Sequence, residues 1–278
     1  MYANPFKAGP VGSDENQLWQ PTDETVISPF AQIVRDAKRL QVLFLRHSGL
    51  NDNDLTQIAK YLGSESGPQQ NKALKVIDLS HNDFTGANVS ACFKQVFEQN
   101  RNLEYVGLAK NNLTSADVQP LLKCFGRQAF PAENVPAYQL KLKERDAILE
   151  KNKKLKASKK PEEIVPLLDA LESKITKDEN GAEVTNWFLL VNPQFKHINI
   201  CLNQVDDVAQ EDIEGCLQIT PDDFCMTLSG NQFSDECVAG IQKCVQQVHK
   251  QRVTEMRLND PSTQVYETVD IAQRRAAF

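Results

Sequence analysis

The sequence predicts an α/β solenoid, an open arc with parallel strands on its concave side, helices on its convex side and a helical insertion. An eleven-residue pattern with apolar residues at its fourth, sixth and eleventh places occurs five times in 278 residues. A segment with apolar residues at helical spacing follows each copy, so every unit supplies one strand and one helix. The copies are LQVLFLRHSGL from Leu40, LKVIDLSHNDF from Leu74, LEYVGLAKNNL from Leu103, FKHINICLNQV from Phe195 and DFCMTLSGNQF from Asp223.

The first half of the pattern is expected to form a short strand. Side chains alternate between the two faces of a strand, so the fourth and sixth places point into the core. The ninth place then turns the chain inward, where backbone groups would otherwise be buried without partners. An Asn amide offers donors and acceptors, and a column of Asn side chains can satisfy those groups. The column is Asn82, Asn111, Asn203 and Asn231, with Ser48 in the first copy.

Both ends of the arc need a cover, because the terminal units of a solenoid expose one side of their core. Ser28 and Pro29 predict the start of a capping helix. At the other end, the segment VTEMRL from Val253 is predicted as a degenerate sixth strand that closes the sheet. The apolar face of the capping helix is expected to consist of Phe30, Ile33, Val34 and Ala37.

The repeat length resembles that of leucine-rich repeats of the ribonuclease-inhibitor type. Repeats begin 29 residues apart at Leu74 and Leu103, and 28 apart at Phe195 and Asp223, which is the long end of the range for this family. The resemblance covers about half of the chain, roughly residues 40–125 and 195–250. Proteins with this repeat include ribonuclease inhibitors, activators of the Ran GTPase and subunits of ciliary complexes such as the dynein regulatory complex.

An insertion of about 60 residues, 128–190, separates the third and fourth repeats, since Asn111 and Asn203 are 92 residues apart. Both halves are expected to be helical, the second through an apolar face of Leu167, Leu168, Leu171 and Ile175. The expected organisation is an extended arm (1–27), the capping helix with repeats 1–3 (28–127), the insertion (128–190), repeats 4–5 with the closing repeat (191–261) and a tail (262–278).

The first half of the insertion is strongly basic. Residues 141–160 hold nine basic and three acidic residues, a net charge of +6 in a chain of −6. One interpretation is a solvated helix whose lysines keep it soluble. The other is an electrostatic arm for an acidic partner, with a protein favoured because the stretch has no aromatic residue to stack on bases. The candidate residues are Lys151, Lys153, Lys154 and Lys156.

The concave face is predicted from the third, fifth and seventh places, which point away from the core. It is mixed and low in charge, with apolar side chains toward its N-terminal half. This composition suits a protein contact better than a polyanion, and the alternative is an ordinary solvated sheet face. The candidate partner-binding residues are Phe44, Arg46, Val76, Asp78, Tyr105, His197, Asn199, Thr227 and Arg257.

One group of residues has chemical potential. His197, Asn199 and Cys201 fall on one strand face, and Cys225 is expected beside His197. These types occur around thiol nucleophiles, and Cys and His also bind zinc. An open sheet face, however, supplies neither a pocket nor an oxyanion site, and no fourth metal ligand is evident. We therefore expect no enzyme activity, no cofactor and no metal.

Composition and motifs predict a cytoplasmic protein. The chain has 24% charged residues and no apolar run near membrane-spanning length. Its first residues lack the apolar core of a secretory signal. The seven cysteines show no CxxC spacing and are expected to be reduced. A cilium, flagellum or the cytoskeleton is the expected specific location.

The expected function is non-catalytic: a protein–protein interaction scaffold, and a structural subunit of a multi-subunit ciliary (axonemal) or cytoskeletal complex. Its partners would be proteins, including acidic surfaces such as tubulin tails, and not nucleic acid. The alternative is a GTPase-activating protein of the Ran-activator type, although members of that family have an acidic tail where this chain has Arg274 and Arg275. A ribonuclease inhibitor is a weaker third candidate, because that family has more repeats and more cysteines.

Overall fold

A computed structural model describes residues 27–63, 70–161, 163, 165–166, 168–177, 182–221, 223–259 and 275–278. For residues 177, 253 and 255–259 it describes only the backbone. Almost all of the expected N-terminal arm, and the tail up to residue 274, lie outside these residues. Among the helices described, none combines the length and apolar character that a membrane crossing needs.

Six short parallel strands form one sheet in the order β1-β2-β3-β7-β8-β9, and three others form a second sheet in the order β4-β6-β5. The parallel strands pair without slippage, so their core-facing residues form one continuous row from Leu43 to Ala276. The α/β class with parallel strands is confirmed. The strands are β1 (Val42–Phe44), β2 (Val76–Asp78), β3 (Tyr105–Gly107), β4 (Gly126–Phe130), β5 (Ala170–Lys177), β6 (Glu183–Val191), β7 (His197–Asn199), β8 (Cys225–Thr227) and β9 (Ala276–Ala277).

Between consecutive parallel strands the chain forms a helix that buries one face in the core. The Asn51 side chain caps the helix from Asp52 to Leu62 and forms a capping box with Asp54. The capping helix predicted at Pro29 is present and buries Val34, whereas Ile33, expected on the same face, is 37% exposed. The helices are α1 (Pro29–Asp36), α2 (Asp52–Leu62), α3 (Gly86–Gln99), α4 (Ser115–Leu122), α5 (Val135–Ala157), α6 (Gln210–Ile219) and α7 (Asp235–Asn259).

The ninth-place Asn side chains form the predicted column. The Oδ1 atom of Asn203 accepts hydrogen bonds from the backbone nitrogens of Asn111 (2.9 Å) and Leu113 (3.1 Å). Its Nδ2 atom donates to the carbonyl oxygens of Leu108 (3.1 Å) and Ile200 (2.9 Å). Each such amide therefore ties its own unit to the preceding one. Equivalent bonds to the preceding unit are made by Asn82, Asn111 and Asn231.

The residue before each of these positions takes a left-handed backbone conformation, which makes the turn after the strand. Only the last copy has glycine there, at Gly230, where a Cβ atom would meet the Leu202 side chain at 2.5 Å. The other four copies accept the strain that a side chain meets in this conformation. The φ angles are 50° at His47, 59° at His81, 54° at Lys110, 55° at Leu202 and 72° at Gly230.

A cluster of phenylalanine rings joins the third and fourth units across the insertion. Phe125 and Phe195 stack with ring centroids 4.6 Å apart. Phe97 packs edge-on against them at 4.7 Å and 5.1 Å, and Phe224 lies 5.5 Å from Phe125. All four rings are buried to within a few per cent of their area. The core therefore continues through the point where the chain departs into the insertion.

The insertion is one long helix followed by a β-hairpin. The basic stretch is helical as predicted, in α5, but the second predicted helix is wrong, because β5 and β6 pair antiparallel there and β4 pairs with β6. Leu171 and Ile175 are four residues apart, a spacing that puts side chains on one face of a strand as well as of a helix. Pairing with the β-branched and aromatic segment of β6 decides between the two.

The predicted closing strand at Val253 is also wrong, because these residues continue α7 to Asn259. The segment lacks the features of the turn: its ninth place is Pro261 rather than Asn. The sixth strand is instead β9, which pairs with β8 through Met226–Ala276 and Thr227–Ala277. Arg257, predicted on the concave face, therefore lies in a helix.

Candidate protein-binding face

The third-, fifth- and seventh-place residues of the parallel strands form the face of the sheet opposite the helices, called here the sheet face. The strand register places Val42, Val76, Tyr105, His197 and Cys225 in one row. A second row runs through Phe44, Asp78, Gly107, Asn199 and Thr227. Except for Arg257, the structure therefore brings the predicted face residues together.

The β1 end of the sheet face exposes apolar side chains. Phe44 is 64% exposed and Val42 is 46% exposed, and they are two residues apart on the same strand. Arg46 follows in the next outward place, with its side chain 56% exposed. Val76 of β2 is half-buried beside Val42. An exposed aromatic ring next to an aliphatic side chain and a guanidinium is the composition of a binding anchor.

Asp78, predicted as a partner-binding residue, lies on the sheet face and is buried. Its carboxylate accepts a hydrogen bond from the backbone nitrogen of Ser80 at 3.0 Å, and an Arg46 nitrogen lies 3.5 Å away. The neighbouring strand has Gly107 at the paired position, where a Cβ atom would meet the carboxylate at 2.4 Å. The missing side chain of Gly107 leaves the room into which Asp78 folds, and Asp78 in turn orients Arg46.

The other half of the sheet face is polar and internally hydrogen-bonded. The rings of Tyr105 and His197 meet edge to face at 5.0 Å, and His197 Nε2 lies 2.5 Å from Thr227 Oγ1. Burial lowers the pKa of His197, which favours the neutral imidazole. Burial raises the pKa of Tyr105, and a hydrogen bond with Asn199 opposes that rise. These half-buried groups present a neutral surface of donors and acceptors beside the apolar end.

The two cysteines near His197 direct their sulfur atoms at neighbouring oxygen atoms. Cys225 lies beside His197 in the strand register, but its Sγ atom is directed to the carbonyl oxygen of Lys196 at 3.5 Å. Burial raises the pKa of Cys225, which works against the thiolate. The Sγ atom of Cys201 lies 3.1 Å from Ser229 Oγ. Within the described residues, no group of three metal-ligating side chains converges.

The basic helix α5 is exposed along almost its whole length, and among its residues only Val135 and Asn152 are buried. Asn152 was not anticipated from the sequence: its amide exchanges two 2.7 Å hydrogen bonds with the backbone of Glu163 and fixes the helix to the segment that follows it. Lys151 and Lys153 form exposed ion pairs with Glu163 and Glu150. Lys154 and Lys156 are exposed, with no acidic partner among the described residues.

Scans of protein-family models and of curated proteins found nothing that matches this chain.

Proposed function

We propose that the chain is a leucine-rich repeat solenoid that acts as a non-catalytic protein-binding subunit of a larger assembly. The observation that carries the proposal is the pair of exposed apolar side chains, Phe44 and Val42, on an otherwise ordered sheet face. The repeat assignment is supported by the strand register, by the Asn column and by the 28- to 29-residue spacing of the units.

The chemistry of the sheet face favours a protein partner. Phe44 is held by a short, paired strand, so a partner can bury its ring without first ordering a loop. Truncation of such an aromatic anchor typically costs a complex about 2 kcal/mol or more. Beside it, Arg46 is already oriented by Asp78, and Tyr105 and Asn199 supply hydrogen-bonding groups. The partner would place an apolar side chain against Phe44 and a carboxylate or carbonyl near Arg46.

The basic helix supplies a second, electrostatic contact. Because its exposed lysines carry a charge opposite to that of the chain as a whole, it would attract an acidic protein surface over roughly a Debye length of 10 Å. The proposed partners therefore include proteins with acidic segments, of which tubulin tails are one kind. A ciliary or cytoskeletal assembly in the cytoplasm is part of this proposal.

The proposal is tested by comparing two exposed apolar positions. Phe44→Asp changes the sheet face, whereas Val208→Asp changes a residue that is 70% exposed in the turn before α6. Native extracts containing each tagged variant are separated by size, and a photo-crosslinking amino acid at each position identifies neighbours. We expect Phe44→Asp to leave the large complex and residue 44 to crosslink to one defined protein, while the Val208 variants behave like the wild type.

If Phe44→Asp and Val208→Asp both remain in the same complex as the wild type, the sheet face is not the binding surface. If all three chains migrate near the 31.2 kDa mass of the monomer, the scaffold proposal itself fails. Circular dichroism of the purified variants controls for loss of folding.

A further inference from the structure

The far end of the parallel sheet contains a fully buried arginine that the sheet face does not use. Arg275 is only 1% exposed and precedes β9, the two-residue strand that ends the sheet. A buried guanidinium is costly unless its hydrogen bonds are satisfied. The hydrogen-bond acceptors around Arg275 therefore define the chemistry of this end of the sheet.

The acceptors come from the C-terminal end of α6 and the chain just after it. The two N–H bonds of one terminal nitrogen of Arg275 are shared among nearby acceptors, which include the carbonyl oxygens of Leu217 (2.9 Å), Thr220 (3.2 Å) and Pro221 (3.0 Å). The Nε atom donates to the carbonyl oxygen of Phe224 at 3.3 Å. These carbonyls include groups that α6 itself leaves unsatisfied, and the negative end of the helix dipole favours a cation there.

The hydroxyl of Thr220 is oriented to accept a hydrogen bond from Arg275. It donates to the carbonyl oxygen of Cys216 at 2.8 Å, which leaves its lone pairs to accept from Arg275 at 3.0 Å. Thr220 is itself 1% exposed. Because Arg275 donates through two different nitrogens to acceptors spread over residues 217–224, the geometry suits a guanidinium better than the single ammonium of lysine.

The three residues after Arg275 contact the edge of β8 and the turn after it in an extended conformation. Ala276 is 1% exposed and pairs with Met226, so the pocket has room for a small side chain there. The carbonyl oxygen of Ala277 accepts from the backbone nitrogen of Leu228 at 2.6 Å. Phe278 packs edge to face against Phe233 with ring centroids 5.7 Å apart. The bound pattern is arginine, a small residue, any residue and an aromatic residue.

We propose that the edge of β8 and the carbonyl cluster at the end of α6 form a binding site for an arginine-anchored extended peptide, and that residues 275–278 of the same chain occupy it as a removable strand. Removal is feasible because β9 contributes only a two-residue pairing and is joined to α7 by the 15 residues 260–274. Short strands at the edge of a sheet belong to the part of a fold that opens first, and the buried Arg275 is the group that holds this one in place. A partner segment with the same pattern would compete for the site.

Hydrogen exchange on the full-length chain tests the removable strand. The amide of Leu228 is bonded to β9, and the amide of Ile200 makes the equivalent bond to Thr227 one strand inward, at 3.0 Å. Arg275→Ala should accelerate exchange at Leu228 by at least about tenfold while Ile200 changes by less than about twofold. Unchanged protection at Leu228, or equal loss at both amides, would overturn the proposal. If Arg275→Ala does not fold, Arg275→Lys is measured by the same criterion.

A fluorescent peptide with the sequence of residues 272–278, AQRRAAF, tests the binding site. It should bind full-length Arg275→Ala, whose own segment is weakened, and bind wild-type protein more weakly because the site is filled. Replacing the second arginine of the peptide by alanine should weaken binding by roughly 30-fold or more, since charge-assisted hydrogen bonds are lost. Equal affinity of the two peptides would overturn the proposal.

Protein concentration distinguishes the two sources of the occupying segment. Protection of Leu228 should be independent of concentration if the segment comes from the same chain. Protection that rises with concentration, together with a dimer in light scattering, would assign the segment to a second copy and overturn the intramolecular assignment.

Discussion

The six-stranded parallel sheet and the insertion between β3 and β7 differ in how they are stabilised. In the parallel region, nearly every strand and helix contributes to one continuous apolar core. Among the described residues of the insertion, 128–190, Val135 is the buried apolar side chain, and none belongs to that core cluster. Its sheet exposes Ile175 at 64% and Val184 at 40%. One region is held by burial, and the other by backbone pairing and surface side-chain bonds.

This difference explains which region has a repeating sequence. Each inner strand of the parallel sheet lies between two parallel neighbours, so the same apolar places and the same Asn recur. The antiparallel strands of the insertion each have a different set of neighbouring strands, so they need only an alternation of side chains between the two faces of the sheet. A change in the parallel region should therefore affect the stability of the whole fold, whereas an equivalent change in the insertion should have a local effect.

The phenylalanine cluster should give the largest contrast between the regions. Phe195→Ala removes a ring that contacts three others and is expected to lower the free energy of unfolding by about 4 kcal/mol. Ile175→Ala, on the exposed face of β5, should change it by less than about 0.5 kcal/mol. Urea denaturation of both variants measures the difference. Similar losses would show that the insertion shares the core.

The Asn column should give the next largest effect. Asn203→Ala leaves the buried backbone groups of Asn111 and Leu108 without their partner, and we expect a loss of about 3 kcal/mol in the free energy of unfolding. The matched change is Asn186→Ala in β6, whose exposed amide bonds to Thr176 Oγ1 at 2.7 Å. That variant should lose less than about 0.5 kcal/mol. A small loss at Asn203 would contradict the role of the column.

Charge reversal in the basic helix should change binding without changing stability. Lys154→Glu with Lys156→Glu should weaken binding of a polyglutamate peptide by roughly tenfold at low salt, and the difference should vanish near 0.5 M salt. The control pair, Lys94→Glu with Lys243→Glu, lies on exposed positions of α3 and α7. Anisotropy titration measures both. Equal weakening would mean that only net charge matters and that the helix is a solvated surface.

The smallest expected effect is the pH dependence of the sheet face. Because burial lowers the pKa of His197, the unfolded chain, with a pKa of about 6.5, takes up the proton first as pH falls. The stabilising contribution of the neutral imidazole is therefore present above the unfolded pKa and lost as pH falls through the folded one. An NMR titration should place the midpoint of His197 below that of a free histidine, and His197→Gln should flatten the stability profile below pH 6.5. A midpoint at or above the free value would contradict this.

The two regions also differ in how far the sequence predicts them. The first five strands of the parallel sheet and the Asn column follow from local spacing, and the structure has them where expected. The sequence does not predict the hairpin, because the four-residue spacing of Leu171 and Ile175 fits the side-chain period of a helix as well as that of a strand. The β-branched and aromatic run of β6, with Val184 and Trp187, is the signal that favours a strand. The occupant of the last sheet edge could not be foreseen, since the segment that forms β9 does not carry the repeated pattern.

Gly126 and Val191 are paired partners at the base of the insertion, so the chain leaves the core and returns to it at adjacent points. Gly126 has a φ of 82°, and a Cβ atom there would lie 2.7 Å from the carbonyl oxygen of Ile219, which fixes this exit. Because β3 pairs directly with β7 and the backbone nitrogen of Asn111 donates to Asn203 Oδ1, the parallel sheet continues across the insertion. The insertion can therefore differ in length or sequence between related proteins without a change in the parallel sheet. A reporter domain can also replace it, because Gly126 and Val191 already lie side by side.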